Sequence, residues 1–210
     1  MIARAGTPIW IRIPRLAVAV LGAVALLWIP LRVSGSATFS LGNYFSYFTV
    51  QSNILGVLVL LIGGVLDPRS PRWQAVRGAV TLYLLITGVI YAVLLAGIDV
   101  MLTDKWVNDT MHRVLPIVLV ADWILVSARL RVSPALIVGW LAYPIVYCGY
   151  SLIRGELVHW YPYPFLDPRG QGYPSLLIGV VILAVVITMM AIAVAWLGAV
   201  RGRRDAAVPV

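Results

Sequence analysis

Residues Leu176–Val200, LLIGVVILAVVITMMAIAVAWLGAV, contain no charged side chain. A membrane-spanning helix needs about 20 predominantly apolar residues, so this run is long enough to cross a bilayer. The strands of a membrane β-barrel would instead alternate apolar and polar residues over about 10 positions, and this run has no such alternation. It predicts a transmembrane helix, and it makes the predicted fold class all-α.

The rest of the chain has the same character. Of its 210 residues, 61% are hydrophobic and 11% are charged, which is more apolar surface than one soluble core can bury. The sequence therefore predicts a multi-pass integral membrane protein in which residues 1–210 form a single domain. The predicted crossings are Leu16–Leu31, Tyr44–Leu66, Gly78–Ile98, Thr110–Ala128, Pro134–Ile153 and Ser175–Val200.

The fourth crossing determines the topology, because His112, Arg113 and Asp122 interrupt it. If it spans the bilayer, 11 of the 16 basic residues lie on one side. They are Arg4, Arg12, Arg15, Arg69, Arg72, Arg77, Arg129, Arg131, Arg201, Arg203 and Arg204. The positive-inside bias makes that side cytoplasmic, together with both termini. The net charge of +8 then reflects topology and contact with membrane lipids, and it predicts no nucleic-acid partner. Cleavage of the first span as a signal peptide is the alternative for this segment.

Motifs for metals and cofactors are missing from the sequence. Cys148 is the only cysteine, so it forms no intramolecular disulfide and no multi-thiolate site. The chain contains no glycine-rich phosphate loop and no HExxH motif. We therefore expect neither a metal nor a cofactor.

Polar residues at the start of the second predicted helix lie on one face. Thr49, Ser52, Asn53 and Gly56 follow the i, i+3, i+4, i+7 spacing. Hydroxyls that bond back to the preceding turn, together with close helix packing, would explain such a face. The amide of Asn53 needs several partners at that depth, however, and this favours a lined cavity.

The fourth predicted helix supplies a basic group for that cavity. With Asp109 or Thr110 as the N-cap, His112 lies in the first turn, roughly 3 to 5 Å deep, and Thr49 lies roughly 7 Å deep at about 1.5 Å per residue. We therefore expect the two side chains within about 3 to 5 Å of each other. A helix N-terminus disfavours the imidazolium, so His112 is predicted to be neutral and able to accept a proton. An interfacial histidine bonded to water or headgroups is the alternative, and Pro116 predicts a kink one turn below.

A buried acid and an aromatic loop complete the set of candidates. Asp122 lies roughly 15 Å deeper than His112, near mid-bilayer, where a carboxyl must be protonated or paired. It is predicted to belong to a polar network or to be structural. Loop 154–174 brings aromatic side chains to headgroup level, as membrane anchors or as substrate contacts. They are Trp160, Tyr161, Tyr163 and Phe165, and His159 beside them is a second candidate base.

Three stretches of the chain carry a resemblance to known proteins: FTVQSN at Phe48–Asn53, NDTMHRVLPIVLVADW at Asn108–Trp123 and YPYPFLD at Tyr161–Asp167. They resemble the androgen-induced family of integral-membrane threonine hydrolases. The resemblance runs in order over most of the chain, and 15 Arg to one Lys suggests a bacterial relative. It implies a hydrolase of fatty acid esters of hydroxy fatty acids, with Thr49 as nucleophile and His112 as base. Asp122 matches a position where eukaryotic relatives tend to have Glu.

The residues allow this chemistry independently of the resemblance. A threonine hydroxyl needs an adjacent base to attack an ester, and His112 could take that proton and return it to the leaving alkoxide. Asn53 and Ser52 are the predicted oxyanion donors. A lipid ester is the predicted substrate, and the site is expected on the non-cytoplasmic side of the membrane, which is the cell membrane if the source is bacterial.

The alternatives to a hydrolase use the same residues. They are a transporter or receptor with Asp122 as proton or solute carrier, and a structural membrane subunit. Haem held by His112 and His159 is a further alternative.

Overall fold

The computed structural model describes residues 6–33, 35–95, 104–126, 128 and 130–207, with side chains as far as Val200. All regular structure in these ranges is helical, without strands. The helices are α1 Ile9–Val33, α2 Leu41–Phe45, α3 Phe48–Val65, α4 Pro71–Ile90, α5 Lys105–Asp109, α6 Leu115–Leu125, α7 Pro134–Val158 and α8 Pro168–Ala207. Two π-helical turns, Tyr91–Leu95 and Thr110–Val114, and one 3₁₀ turn, Pro164–Leu166, complete the structure. The predicted helix end at Ile98 and the basic residues Arg4 and Arg129 lie outside the described residues.

Five helices are long and apolar enough to cross a membrane. They are Ile9–Val33, Phe48–Val65, Pro71–Leu95, Pro134–Val158 and Pro168–Val200. The all-α fold and the membrane-type helices predicted from the sequence are confirmed at this level. The fourth predicted crossing is an interrupted helix of three consecutive segments, 105–109, 110–114 and 115–125. At about 1.5 Å per residue it is roughly 31 Å long.

Helices α3 and α4 form the centre of the bundle. α3 packs against α1, α4 and α6, and α4 also contacts α7 and α8. The outer helices leave most of their surface uncovered, as expected for helices that face lipid. Local sequence explains several helix starts: Ser70 and Ser133 each accept a bond from a first-turn backbone N–H, and a proline follows each of them at the first helical position.

The ends of the helices fall into two groups. Backbone and side chain of Thr7, just before α1, donate to Asp67, just after α3, at 2.8 and 2.6 Å. Arg77 of α4 donates to the carbonyl of Val126, just after α6. The start of α1, the end of α3, the start of α4 and the end of α6 therefore lie at one end of the bundle. The start of α3 and the 159–167 segment lie at the other.

The predicted second helix, Tyr44–Leu66, is broken at Ser46 and Tyr47. Tyr147 of α7 donates its hydroxyl to the Ser46 carbonyl at 2.8 Å and accepts from the Phe48 N–H at 3.0 Å. One side chain thereby takes backbone groups that a continuous helix would have paired internally. Thr49 is consequently the second residue of α3 and lies in its first turn.

The predicted position of His112 in a first helical turn is wrong, because the helix starts earlier, at Lys105. Asp104, just before that start, accepts from Trp28 at 3.0 Å and from Arg32 at 2.6 Å, so α1 holds this segment in place. His112 lies in the π-helical turn Thr110–Val114, which ends two residues before Pro116. Pro116 has no N–H to offer the carbonyl four residues earlier, and the wider turn is the local response.

Candidate active site

Thr49 and His112 face each other across the gap between α3 and the interrupted helix. Thr49 Oγ1 lies 3.3 Å from His112 Nε2, and both side chains are 8% exposed. The predicted proximity is confirmed. The distance is slightly long for a hydrogen bond, within the range in which a catalytic pair tightens once substrate binds.

The other ring nitrogen fixes the orientation of the imidazole. His112 Nδ1 lies 3.1 Å from the carbonyl of Asn108, four residues earlier, and only a protonated nitrogen can donate to a carbonyl. In neutral histidine Nε2 is then the acceptor, and this is the nitrogen that faces Thr49. Tyr91, in the other π-helical turn, Tyr91–Leu95, stacks on the ring with centroids 4.2 Å apart. The Tyr91 hydroxyl accepts from Asn108 Nδ2 at 2.6 Å, so Tyr91 also holds the residue whose carbonyl contacts the His112 ring.

A tyrosine hydroxyl lies on the other side of Thr49. Tyr163 OH is 3.3 Å from Thr49 Oγ1 and accepts from the Thr49 backbone N–H at 3.2 Å. First-turn N–H groups have no partner within their own helix, so this one is available to an atom outside it. The Thr49 N–H thus holds the phenolic hydroxyl of Tyr163 beside the Thr49 hydroxyl. No sequence pattern predicts this role of Tyr163, because it depends on a loop that returns from a distant part of the chain.

Ser52 and Asn53 support the backbone of Thr49. Both donate to the Thr49 carbonyl, at 3.1 and 2.8 Å, and Asn53 Nδ2 also donates to the Met111 carbonyl at 3.1 Å. Ser52 Oγ lies 2.8 Å from Thr87 Oγ1. In this arrangement the amide hydrogens of Asn53 are directed at carbonyls, and Asn53 ties α3 to the turn that carries His112.

Asp122 belongs to an ion-pair cluster at the opposite end of the bundle. Its Oδ1 accepts from Arg15 Nε at 2.6 Å, and its Oδ2 lies 3.8 Å from Arg77 Nε. Arg15 also donates to the Gly63 carbonyl at 2.9 Å. Gly63 lies 14 positions after Thr49 on α3, or roughly 21 Å at 1.5 Å per residue. Asp122 is buried inside the bundle as predicted, and it lies one turn before the end of α6.

The aromatic segment, Trp160–Phe165, packs over the site. Tyr161 lies against Gly155 of α7, where a Cβ would come within 2.1 Å of the Tyr161 ring, so only glycine permits this contact. Trp160 and Tyr163 both make edge contacts with Tyr47, at centroid distances of 5.4 and 5.7 Å. Phe165 stacks parallel to Tyr163 at 5.2 Å. His159 is the C-cap of α7 and lines neither cavity at the site.

Two cavities meet at Thr49. The outer cavity, about 640 Å³, is lined by His112, Trp160 and Tyr161 and by polar residues such as Arg32 and Asn43. The second cavity, about 290 Å³, is almost entirely apolar and lies among α3, α4, α7 and α8. Thr49 and Tyr163 line both cavities, whereas His112 lines the outer one.

The arrangement holds the parts that acyl transfer needs. The Thr49 hydroxyl faces a proton acceptor, and the Tyr163 O–H, a hydrogen-bond donor, lies beside that hydroxyl. Asp122 lines neither cavity, so the polar face predicted for a transport pathway does not include the acid that would carry the proton or solute. Comparison of the chain with protein-family models, with curated proteins and with solved structures finds no match.

Proposed function

We propose that this protein is a membrane-embedded hydrolase that cleaves lipid esters, such as fatty acid esters of hydroxy fatty acids, through a covalent acyl-threonine. The observation that carries the proposal is the 3.3 Å approach of Thr49 Oγ1 to His112 Nε2, with Nδ1 occupied by the Asn108 carbonyl. A bare Thr–His contact could be structural. This pair, however, lies where a polar and an apolar cavity meet, as the cleavage of an amphipathic ester requires.

The first half of the reaction forms the acyl-enzyme. Thr49 Oγ1 attacks the ester carbonyl carbon while His112 Nε2 takes the hydroxyl proton. The bond from the carbonyl carbon to the alkoxy oxygen breaks, and His112 returns the proton to the departing alkoxide. The negative charge on the carbonyl oxygen is stabilised by the Tyr163 O–H, which lies beside the reacting atom and whose oxygen is held there by the Thr49 N–H.

The second half consumes water. His112 takes a proton from a water molecule as the water oxygen attacks the acyl carbon. The bond from the acyl carbon to Thr49 Oγ1 then breaks, and His112 passes the proton to Thr49 Oγ1. Free fatty acid and regenerated threonine are the products. None of these steps uses a metal or a cofactor. Ser52 and Asn53 hold the backbone of Thr49 in place, whereas Asp122 pairs with Arg15 at the opposite end of the bundle.

We further propose six crossings, with the interrupted helix 105–125 as the fourth and both termini cytoplasmic. Its length of roughly 31 Å matches the hydrocarbon core of a bilayer. Six crossings bring most basic residues to the side that is cytoplasmic by the positive-inside bias. Thr49 and His112 then act near the non-cytoplasmic surface, from which water reaches the outer cavity.

Labelling of the purified protein in detergent by a fluorophosphonate probe tests the proposal. We expect the label on Thr49 and expect Thr49→Ala to abolish both labelling and ester hydrolysis. Thr81→Ala is the matched control, because Thr81 is a buried helical threonine whose hydroxyl donates only to the Arg77 carbonyl. Full hydrolysis by Thr49→Ala, or a label on another residue, would end the threonine-nucleophile proposal.

A further inference from the structure

The position of His112 relative to the two cavities determines how an ester must lie in the site. His112 lines the outer cavity and not the apolar one, whereas Thr49 lines both. In the proposed reaction His112 protonates the leaving alkoxide and then activates water. Both of those oxygens must therefore be on the outer side of the acyl carbon, within reach of Nε2.

The acyl chain must then occupy the apolar cavity. Its walls are side chains such as Leu141, Ile145, Leu183 and Ile187, with few polar atoms. Transfer of a hydrocarbon chain from water or lipid to such a lining costs no free energy. The polar lining of the outer cavity can form hydrogen bonds with an alcohol part that carries oxygen atoms.

The apolar cavity also reaches the surface of the bundle that faces lipid. Exposed residues of two neighbouring helices contribute to its lining: Ile145, which is 66% exposed, and Gly149 on α7, and Ala184 on α8. An added Cβ at Gly149 would meet no atom within 4 Å, so the space beside it is open. A chain in this cavity can enter from the membrane between α7 and α8 without crossing the aromatic segment.

We infer that the cavity between α7 and α8 is the acyl-chain site, filled sideways from the bilayer, and that the alcohol part of the ester occupies the outer cavity and leaves through it. This assignment rests on the proposed hydrolase function and adds an orientation to it. The α7–α8 cavity should set the preference for acyl length, while the outer cavity should set the preference for the alcohol.

Narrowing the cavity tests this orientation. The substrates are two series of esters in detergent micelles, one with a fixed alcohol and acyl chains from 4 to about 16 carbons, the other with a fixed short acyl group and alcohols of increasing size. Gly149→Leu should lower kcat/KM for the longest acyl chain at least about tenfold relative to the shortest, the scale of steric selection in an apolar pocket. The alcohol series should keep its wild-type ratios.

Gly139→Leu is the matched control. Gly139 is also an exposed glycine of α7 whose added Cβ would meet nothing within 4 Å, but it does not line the cavity. We expect it to leave both series unchanged. Ala184→Phe narrows the same cavity from α8 and should repeat the effect of Gly149→Leu if that variant fails to fold.

The outcomes separate this inference from the proposed function. A fall of about tenfold or more in kcat/KM for long relative to short acyl chains in Gly149→Leu and Ala184→Phe, with Thr49-dependent activity on short chains retained, supports the orientation. Unchanged acyl ratios, or altered ratios in the alcohol series instead, overturn the orientation while the hydrolase itself stands. Hydrolysis that does not depend on Thr49 would overturn the proposed function.

Discussion

Removal of the Tyr163 hydroxyl tests its proposed role in the reaction without changing the packing of its ring in the site. In Tyr163→Phe the ring stays and keeps its contacts with Tyr47 and Phe165, while the Thr49 N–H loses its acceptor and Thr49 Oγ1 loses a neighbour at 3.3 Å. A buried N–H without a partner costs about 1 to 3 kcal/mol of folding free energy. Loss of one oxyanion donor costs roughly 10² to 10³ in kcat.

Both quantities are measurable on one preparation. We expect kcat for a short-chain ester to fall about 10² to 10³-fold in Tyr163→Phe, and thermal unfolding in detergent to show a modestly lower stability. The fluorophosphonate should still label Thr49 slowly, because the nucleophile and its base remain.

Tyr147→Phe provides the matched control. Its hydroxyl caps the neighbouring N–H of Phe48 at 3.0 Å and donates to the Ser46 carbonyl, so its removal costs comparable stability. The hydroxyl bonds backbone groups on either side of the helix break, outside the proposed oxyanion site. We expect less than about a tenfold change in kcat. Near-wild-type kcat in folded Tyr163→Phe, or an equal loss in Tyr147→Phe, would refute the oxyanion role of Tyr163.

Three further predictions concern the base, the ion-pair cluster and acid stability. His112→Ala should lower kcat/KM about 10² to 10⁴-fold on the ester assay, and activity within tenfold of wild type would contradict its role as base. Asp122→Ala removes the carboxylate that the buried Arg15 guanidinium contacts at 2.6 Å and leaves it only Asp67, at 3.8 Å. Unfolding in detergent should therefore show a loss of about 3 to 5 kcal/mol, and wild-type stability would contradict the pairing. Burial raises the pKa of Asp67, but the hydrogen bonds from Thr7 and the charge of Arg69 together lower it by more than burial raises it. The pKa of Asp67 therefore lies below its ordinary value of 3.8. The carboxylate therefore stabilises the fold above pH 3.8 and loses this contribution as the pH falls below it, and acid unfolding should show a smaller loss in Thr7→Ala than in wild type.

The sequence by itself determined the fold class and where the polar groups collect. An uncharged run such as Leu176–Val200 is compatible with few structures, because in lipid each backbone N–H must be paired within its own helix or a closed barrel. The spacing of Thr49, Ser52 and Asn53 placed three polar groups on one helical face, because residues three and four positions apart lie on the same side of an α-helix. The expected contact of Thr49 with His112 is present, although the two depths from which it was predicted assumed helix starts that the structure places at Phe48 and Lys105 instead.

Only the tertiary structure decided which atoms face the Thr49 hydroxyl. The break before α3 involves Tyr147, about a hundred residues away, and it leaves the Thr49 N–H without a partner in its own helix. Tyr163 reaches that N–H because its loop folds back over the bundle, and Asp122 meets Arg15 because α1 packs beside α6. Hydropathy and helical spacing describe one segment at a time, whereas these partners depend on how separate segments pack, which no local pattern contains.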